Sequence, residues 1–497
     1  MAESPNLNAL NYTVLVPYNG TTPTGGDSME TDLNVFYNAG DIAWLITSTA
    51  LVLLMIPGVG YEKSALSLIW VSIMSLGVVS FQWFFWGYSL AFSHSAGKYI
   101  GNLENFGFKN VLAQPSVGSS KVPDLLFGLY QGMFAAITNS KVIPEIPNRP
   151  LSRVALAVGA VAERGRMAPC VVFMFVWTTV IYDAIACWTW NPAGWVFKMG
   201  GLDFAGGTPV HIASGAAALA YSLMLGKRRG HGTQDLNYRP HNVTHVVIGT
   251  VFLWFGWFGF NAGSALSANL RAVMAGVVTN LAAAVGGVTW CLMDYRLERK
   301  FSAVGFSSGV ISGLVAITPG SGYVPPWAAI IFGVVAAAAC NYATQLKWAM
   351  RIDDSLDIFA VHGVGGFVGN LLTGLFAADY IARLDGVTHI NGGWLNKHYI
   401  QLAYQLADSV SGAAYSFLGS CIILFLINLV PGLHLRTSEK DEILGVDDAE
   451  IGEFAYDYVE RTRDLTKGFE TDFSERKSDT DSVGREKDRK TEGHAGI

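Results

Sequence analysis

The feature that most constrains the fold is a series of about eleven long apolar segments joined by short polar connections. A helix that crosses a bilayer needs about 20 mostly apolar residues. In lipid, only helices and closed barrels pair all their backbone groups. The sequence therefore predicts an all-α membrane protein with about eleven transmembrane helices. The predicted segments lie near residues 41–60, 64–92, 123–138 continued at 154–162, 167–189, 203–225, 244–261, 271–293, 303–318, 327–345, 355–377 and 401–431.

Composition supports a membrane protein and argues against a nucleic-acid partner. Hydrophobic residues make up 51% of the chain and charged residues 14%, whereas about a quarter of a soluble domain is charged. No broad basic surface is predicted, so nucleic acid is not an expected partner. The cysteines all lie in apolar segments without metal-ligand spacing, and we interpret them as buried thiols. They are Cys170, Cys187, Cys291, Cys340 and Cys421. We expect no metal and no cofactor.

Charge in the connecting loops predicts the orientation of the chain. One set of loops is rich in Lys and Arg, and positively charged loops stay in the cytoplasm. An odd number of spans then places residues 1–40 outside the cell and the tail inside. Asn11 and Asn19 each begin an Asn-X-Thr sequon, and an extracellular segment would allow their glycosylation. The basic set comprises Arg164, Arg166, Lys227, Arg228, Arg229, Arg239, Arg296, Arg299, Lys300, Lys347 and Arg351.

The sequence predicts three regions: the extracellular segment 1–40, a transmembrane domain over 41–435, and a cytoplasmic regulatory tail over 436–497. Residues 445–458 carry enough aromatic and apolar side chains to dock on another surface. From about Thr466 onward the tail is polar and charged, which predicts disorder. Ser478 follows an Arg-Lys pair and is a candidate site for a regulatory kinase, although an unmodified tail is an equal alternative.

Two similar segments predict an internal repeat. Asp203 precedes a glycine-rich segment that bears His211, and Asp357 precedes another that bears His362. These are the fifth and tenth apolar segments. A repeat of five spans places its two copies in opposite orientations, so we predict an inverted five-helix repeat plus a final helix. Inverted repeats place a substrate site near the middle of the membrane.

The two histidines are the strongest functional candidates, because ionisable residues inside a membrane are costly and usually functional. Each neutral imidazole offers one donor and one acceptor. Together, His211 and His362 could pass a small amine or relay a proton, although two structural histidines satisfied by neighbours are the alternative. We interpret Asp203 and Asp357 as helix N-caps that support the site without touching substrate. Trp190 is a candidate for the pore mouth. Chemistry alone does not separate it from Trp188 or Trp195, and an interfacial anchor is the favoured alternative for any one of the three.

Three strings closely resemble the Amt/Mep/Rh ammonium transporter family, and the resemblance runs from about Asp32 to Tyr458. The strings are Leu202-Asp203-Phe204-Ala205-Gly206-Gly207 with His211, Trp257-Phe258-Gly259-Phe260-Asn261-Ala262-Gly263-Ser264, and the segment from Asp353 to Val364 that contains His362. The strings 81–88 and 451–458 resemble fungal ammonium and methylammonium permeases. Some fungal paralogues carry glutamate at the first histidine position. This chain has His211 there, so it resembles the high-affinity branch, which includes proposed nitrogen sensors.

The resemblance implies a homotrimer in the plasma membrane, with one pore in each subunit and a tail that regulates it. It implies an external ammonium site, a gate of stacked rings, and twin histidines that handle ammonia and a proton. The implied substrate-contacting residues are Trp190, Ser264, Phe134, Phe260 and Trp257, the pore histidines are His211 and His362, and the supporting residues are Asp203 and Asp357.

Three other functions stay open beside ammonium transport. One is an Rh-type neutral gas channel, which would carry no ammonium-evoked current. Another is a nutrient-sensing receptor that reports ammonium through the tail. The third, a membrane enzyme, is disfavoured because the sequence contains no nucleophile pair, metal set or cofactor motif.

Two stretches depart from the family pattern. Residues 139–153 interrupt the third apolar segment with three prolines and several charges, which cannot continue a helix or face lipid cheaply. Tyr61 is followed directly by Glu62, at a point where members of the family normally have a longer stretch between the first two helices. We hypothesise a retained intron or a gene-model error for the insertion. Codons 139–153 in the mature transcript would contradict this hypothesis.

Overall fold

The computed structural model describes residues 33–56, 65–140, 164–229, 231, 242–345, 347, 352–354 and 357–453. Across these residues the chain is helical and contains no β-strand, which confirms the predicted all-α class. Contacts divide the chain into a large unit, Met1–Ile451, and a second unit, Gly452–Ile497. Asn11, Asn19, Ser478 and residues 141–153 of the insertion lie outside the described residues.

Within the described residues, eleven apolar helices, α1 to α11, match the predicted segments; the predicted continuation of the third segment at 154–162 lies outside the described residues. Eight of these helices have the length and composition to cross a membrane, whereas α1, α3 and α8 are shorter. In chain order they are α1 Ala39–Leu54, α2 Leu66–Phe92, α3 Asp124–Ser140, α4 167–190, α5 Gly207–Leu225, α6 Val243–Ala262, α7 Leu270–Glu298, α8 Ala303–Ile317, α9 Pro326–Ala343, α10 Phe359–Phe376 and α11 Gln401–Leu429.

Among the helix ends that differ from the sequence prediction are the C-terminal ends of α1 and α3. Helix α1 ends at Leu54 with Met55 as its C-cap, before the predicted end at residue 60. Helix α3 continues through Ser140, two residues into the insertion. Asn139 is buried there, and its Nδ2 donates to Thr178 Oγ1 of α4 at 2.7 Å. Asn139, the first residue of the insertion, therefore packs within the bundle.

Glycine residues bring the two histidine-bearing helices into backbone contact. A Cβ atom on Gly215 of α5 would lie 2.4 Å from the backbone nitrogen of Gly363 in α10. A Cβ on Gly366 would lie 3.0 Å from the Cβ of His211. Small residues allow helices in a membrane to approach this closely. The crossing of α5 and α10 therefore sets the distance between the two histidines.

The beginning of the tail docks on the bundle through carboxylates. Asp447 accepts hydrogen bonds from the backbone N–H groups of Leu66 at 3.0 Å and Ser67 at 2.7 Å, in the first turn of α2. Glu450 accepts from Arg166 Nε at 3.1 Å and from Met167 N at 3.3 Å, at the start of α4. Anions are favourable at helix N-termini, where backbone N–H groups lack partners. The tail therefore caps two membrane helices.

A buried ionic cluster joins three loops at the same end of the bundle. Asp353 accepts from Arg228 N at 2.8 Å and from Arg228 Nε at 2.9 Å, and Arg164 Nη1 lies 3.7 Å from the same oxygen. His231 Nδ1 lies 3.2 Å from the other carboxylate oxygen. Burial raises the pKa of Asp353, but the neighbouring cationic groups outweigh it and hold the pKa well below its usual range.

Candidate functional site

A cavity of about 410 Å³ opens between the ends of several helices and contains most of the predicted external site. Trp190, Ser264, Phe134 and Asp203 all line it. These residues come from α4, from the turn after α6, from α3, and from the loop before α5. The structure therefore brings together four side chains that are far apart in the sequence. We call this cavity the vestibule.

Trp190 is positioned by the backbone of Asp203. Its indole Nε1 donates to the Asp203 carbonyl oxygen at 3.0 Å. The ring meets Phe134 edge-on, with centroids 6.0 Å apart and planes at 85°. Trp188, by contrast, donates to the Tyr99 carbonyl at 2.6 Å and packs on Trp195. Neither Trp188 nor Trp195 lines the vestibule, so the structure separates three tryptophans that the sequence could not.

The carboxylate of Asp203 caps helix α5. It accepts from the backbone N–H groups of Gly206 at 2.8 Å, Gly207 at 2.7 Å and Thr208 at 2.7 Å. Three N–H donors and the helix dipole stabilise the ionised form of a carboxyl group. Asp203 therefore holds both the start of α5 and, through its carbonyl, the indole of Trp190.

Ser264 presents an acceptor to the vestibule. Its hydroxyl donates to the Phe260 carbonyl at 2.8 Å, so the oxygen lone pairs are available to an N–H donor. The Tyr130 hydroxyl, which the sequence analysis did not single out, lies 3.3 Å from Ser264 Oγ. It is 2.9 Å from the Gly259 carbonyl oxygen and 3.0 Å from the Phe260 carbonyl oxygen. Tyr130 therefore fixes the backbone that carries both Ser264 and Phe260.

Two stacked phenyl rings close the inner end of the vestibule. Phe134 and Phe260 have centroids 4.3 Å apart and planes at 27°, and both are buried. Phe260 also faces His211, with ring centroids 6.0 Å apart and planes at 25°. The phenyl pair thus separates the vestibule from the two histidines with an apolar layer.

His211 and His362 lie in direct contact beneath the phenyl rings. Their Nδ1 atoms are 3.1 Å apart, and both residues are fully buried. Trp257 stacks on His211, with centroids 5.5 Å apart and planes at 19°. The hydrogen bond between the imidazoles fits a paired functional site, and it also fits the alternative of two structural histidines that satisfy each other.

The hydrogen bonds of Thr318 define the protons on both imidazoles. The Thr318 hydroxyl donates to the Leu314 carbonyl at 2.8 Å, and its oxygen accepts from Trp257 Nε1 at 3.0 Å. His211 Nε2, 3.3 Å from the same oxygen, must therefore be a donor. A neutral His211 then has Nδ1 as its acceptor, and His362 Nδ1 carries the proton that joins the two rings.

The start of α10 involves a carboxylate that was not predicted from the sequence. Asp354 Oδ2 accepts from the Phe359 backbone N–H at 3.1 Å. Asp357 forms an ion pair with Lys347, with Nζ and Oδ1 2.7 Å apart, and its φ is +56°. Asp354 therefore caps α10, a role that was not predicted from the sequence.

A buried polar cluster behind Asp203 was not predicted from the sequence. Thr208 Oγ1 donates to Asp408 Oδ2 of α11 at 2.6 Å, and Asn370 Nδ2 lies 2.8 Å from Thr208 Oγ1. Asp408 was detectable as an ionisable residue within the last apolar segment. Thr318 and Tyr130 gave no such signal, because hydroxyl residues are ordinary in membrane helices. Within the described ranges, no group of three or more His, Cys, Asp or Glu side chains could hold a metal ion.

Comparison with known proteins identifies the family of the chain. Residues 43–456 match the profile of the Ammonium Transporter Family. The chain is 60% identical over 454 residues to ammonium transporter 1 of Schizosaccharomyces pombe, covering 89% of this chain and 88% of that protein. It is 49% identical over 448 residues to ammonium transporter MEP2 of Saccharomyces cerevisiae, covering 87% of each. The crystal structure of Candida albicans Mep2 superposes with a TM-score of 0.78 at 49% identity, over 88% of this chain and 94% of that one. The chain therefore belongs to the ammonium transporter family.

Proposed function

We propose that this chain is an ammonium transporter, not an enzyme, which takes up ammonium and methylammonium through a pore in each subunit. The observation that carries the proposal is a continuous line of contacts. It runs from the vestibule with Trp190 and Ser264, through the stacked Phe134 and Phe260, to the bonded pair of His211 and His362.

The vestibule supplies the two interactions that suit an ammonium ion. The indole face of Trp190 attracts a cation that has lost part of its water. The oxygen of Ser264 accepts a directional N–H bond, which a metal cation of similar size lacks. We therefore assign these two residues to the external ammonium site, with Asp203 as support.

The phenyl pair makes the passage of a bare cation costly. Transfer of an unpaired ion into an apolar region is strongly unfavourable. Ammonium can release a proton and pass Phe134 and Phe260 as neutral ammonia, whereas potassium has no such option. The gate therefore selects for a substrate that can be deprotonated.

The histidine pair can carry the released proton. The two imidazoles share one hydrogen bond, between their Nδ1 atoms. With both tautomers reversed, His211 Nε2 can accept the released proton, the His211 Nδ1 proton passes to His362 Nδ1, and His362 Nε2 releases its proton. This transfer leaves both rings neutral, in the tautomers described above. We propose that the proton crosses with ammonia. An ammonium-evoked current supports this, whereas uptake without current would favour the neutral gas channel.

We further propose a homotrimer in the plasma membrane, with the N-terminus extracellular. Asn280 is exposed in the middle of α7, and an amide that faces lipid lacks hydrogen-bond partners. It lines an apolar cavity of about 800 Å³ together with Trp44 and Phe258. A second copy that covers this cavity would bury the amide. Cross-linking of purified protein tests the assembly, and a monomeric mass would contradict it.

The docked tail supports a regulatory role, including a receptor role. Asp447 and Glu450 cap α2 and α4, so release of the tail would change the ends of two membrane helices. Truncation after residue 436 should alter uptake or signalling. Ser478, if it is phosphorylated, would act through this tail, and a Ser478→Ala variant tests the kinase proposal.

Growth on low ammonium, in a cell that lacks its own ammonium permeases, tests the function. We expect growth with this chain and none with His211→Ala. His389→Ala is the matched control, because His389 is 68% exposed and lies outside the pore. A parallel version without residues 139–153 tests whether the insertion impairs folding. If neither version supports growth or methylammonium uptake while both reach the membrane, the proposed function is wrong.

A further inference from the structure

A second buried carboxyl group lies behind the proposed ammonium site. Asp408 of α11 is 1% exposed, and its Oδ2 accepts the hydroxyl proton of Thr208 at 2.6 Å. The backbone N–H of the same threonine donates to Asp203 Oδ2 at 2.7 Å. Thr208 therefore bridges two carboxyl groups, one from the loop before α5 and one from the final helix.

The other polar neighbours of Asp408 carry no charge. Asn370 Nδ2 of α10 lies 3.3 Å from Asp408 Oδ2 and 2.9 Å from Ser409 Oγ. Among the described residues on the elements packed against α11, the charged group that acts on Asp408 is Asp203. Asp408 Oδ1 is buried without a hydrogen-bond partner in the described part of the chain. Among the residues that the structure describes, no cation compensates a negative charge at this position.

The two carboxyl groups have different surroundings. Asp203 accepts three backbone N–H bonds at a helix N-terminus, which stabilises its ionised form. Asp408 lies within the bundle with neutral donors on a single oxygen. Two negative charges held close together and away from water repel strongly, so one of the two groups keeps a proton. The surroundings assign the charge to Asp203 and the proton to Asp408.

We propose that Asp408 is a neutral carboxylic acid and a positioning residue for transport, acting through Thr208 on the part of α5 that carries His211. Thr208 lies in the π-helical segment Gly207–Ile212, three residues before His211. The hydroxyl contact with Asp408 therefore anchors this segment to α11. This inference rests on the proposed ammonium transport.

Four variants test the inference through methylammonium uptake between about pH 5 and about pH 8. Asp408→Asn exchanges a neutral acid for a neutral amide, so KM and Vmax should stay within about twofold of wild type at each pH. Asp408→Leu removes the hydrogen bond at similar volume and should lower Vmax roughly tenfold. Thr208→Val should lower Vmax as much as Asp408→Leu does. The double variant, Thr208→Val with Asp408→Leu, should lower Vmax no further, because both substitutions remove the same contact.

The opposite results overturn the inference. Asp203→Asn, which removes a negative charge, should raise KM at least about tenfold. If Asp408→Asn raises KM as much, Asp408 is ionised. If Asp408→Leu transports like wild type, Asp408 does not position the helix. Where the leucine variant fails to reach the membrane, Thr208→Val decides the positioning role.

Infrared spectroscopy of the purified protein reads the proton directly. The difference between wild type and Asp408→Asn should contain the carbonyl band of a neutral carboxyl group, shifted in heavy water. A carboxylate band in its place would overturn the assignment. Wild-type protein that takes up no methylammonium refutes the proposed transport, whereas a functional wild type with a defective Asp408→Asn refutes this inference alone.

Discussion

Thr318 offers the sharpest test of the pore geometry, because one hydroxyl organises both the indole and the imidazole of the site. Its oxygen accepts from Trp257 Nε1 at 3.0 Å and lies 3.3 Å from His211 Nε2. Thr318→Val keeps the shape of the side chain but removes the acceptor of both bonds. The variant therefore separates the packing of this position from its hydrogen bonding.

The expected loss follows from the two buried donors. Removing the acceptor of a buried N–H group costs about 1–3 kcal/mol, so Thr318→Val should destabilise the fold by roughly 2–4 kcal/mol after partial relaxation. Without Thr318 as acceptor, His211 can place its proton on Nδ1, where it opposes the donor of His362. If the loss of the hydrogen bond between the two imidazoles raises the free-energy barrier to transport by about 1.4 kcal/mol, methylammonium uptake falls about tenfold.

Thermal unfolding in detergent and uptake in permease-deficient cells measure the two effects. Thr318→Ser retains the hydroxyl and should stay close to wild type in both assays. Ser321→Ala is the matched control for hydroxyl loss, because the Ser321 hydroxyl donates to the Thr318 carbonyl at 3.2 Å and does not contact the imidazoles. Equal uptake by the Val and Ser variants of Thr318 would refute the role assigned to the hydroxyl.

Three further predictions concern the charged groups around the bundle. Asp385→Asn removes the carboxylate that pairs with Arg271 in the vestibule, where Arg271 Nη1 and Asp385 Oδ2 are 3.0 Å apart. The positive charge of Arg271 is then uncompensated and should raise KM for methylammonium about fivefold with unchanged Vmax, with a smaller increase at high salt. Asp447→Ala removes a cap worth about 1 kcal/mol from the first turn of α2; the tail should become faster to proteolyse than in Asp447→Asn, and equal rates would contradict the capping role. The pKa of Asp353 is lowered in the folded protein. Its contribution to the free energy of unfolding is therefore complete above the ordinary aspartate pKa and is lost as pH falls toward the folded pKa. Acid unfolding should be less steep in Asp353→Asn, and identical acid profiles would exclude this contribution.

The sequence predicted the fold because each span carries its own signal. Apolar length alone located all eleven helices, and most boundaries agree within a few residues. The exceptions have local causes. Helix α1 ends before Pro57, which cannot continue a helix freely. Helix α3 extends into the insertion, where Asn139 donates a buried hydrogen bond to Thr178. The sequence does not show that this polar side chain has a partner on another helix.

Residues of the proposed pore stood out in the sequence only where they repeat or belong to a motif. His211 and His362 occupy equivalent positions in the two halves, and this equivalence distinguished them from single core histidines. Asp408 and Thr318 each occur once, in segments that are otherwise ordinary. Their roles depend on which helices pack together, and a single sequence does not contain that information.

The local helix geometry explains why hydrophobic periodicity could not orient the pore residues. His211 lies in the π-helical segment Gly207–Ile212, Phe260 in Phe258–Ala262, and His362 in Phe359–Val364. A π segment shifts the backbone hydrogen bonds by one residue and turns the following face of the helix, and such segments are frequent at functional sites. Each of the three rings lies in such a segment, where a regular 3.6-residue period no longer predicts the direction of a side chain. The irregular turns are therefore part of the proposed pore, together with the side chains they carry.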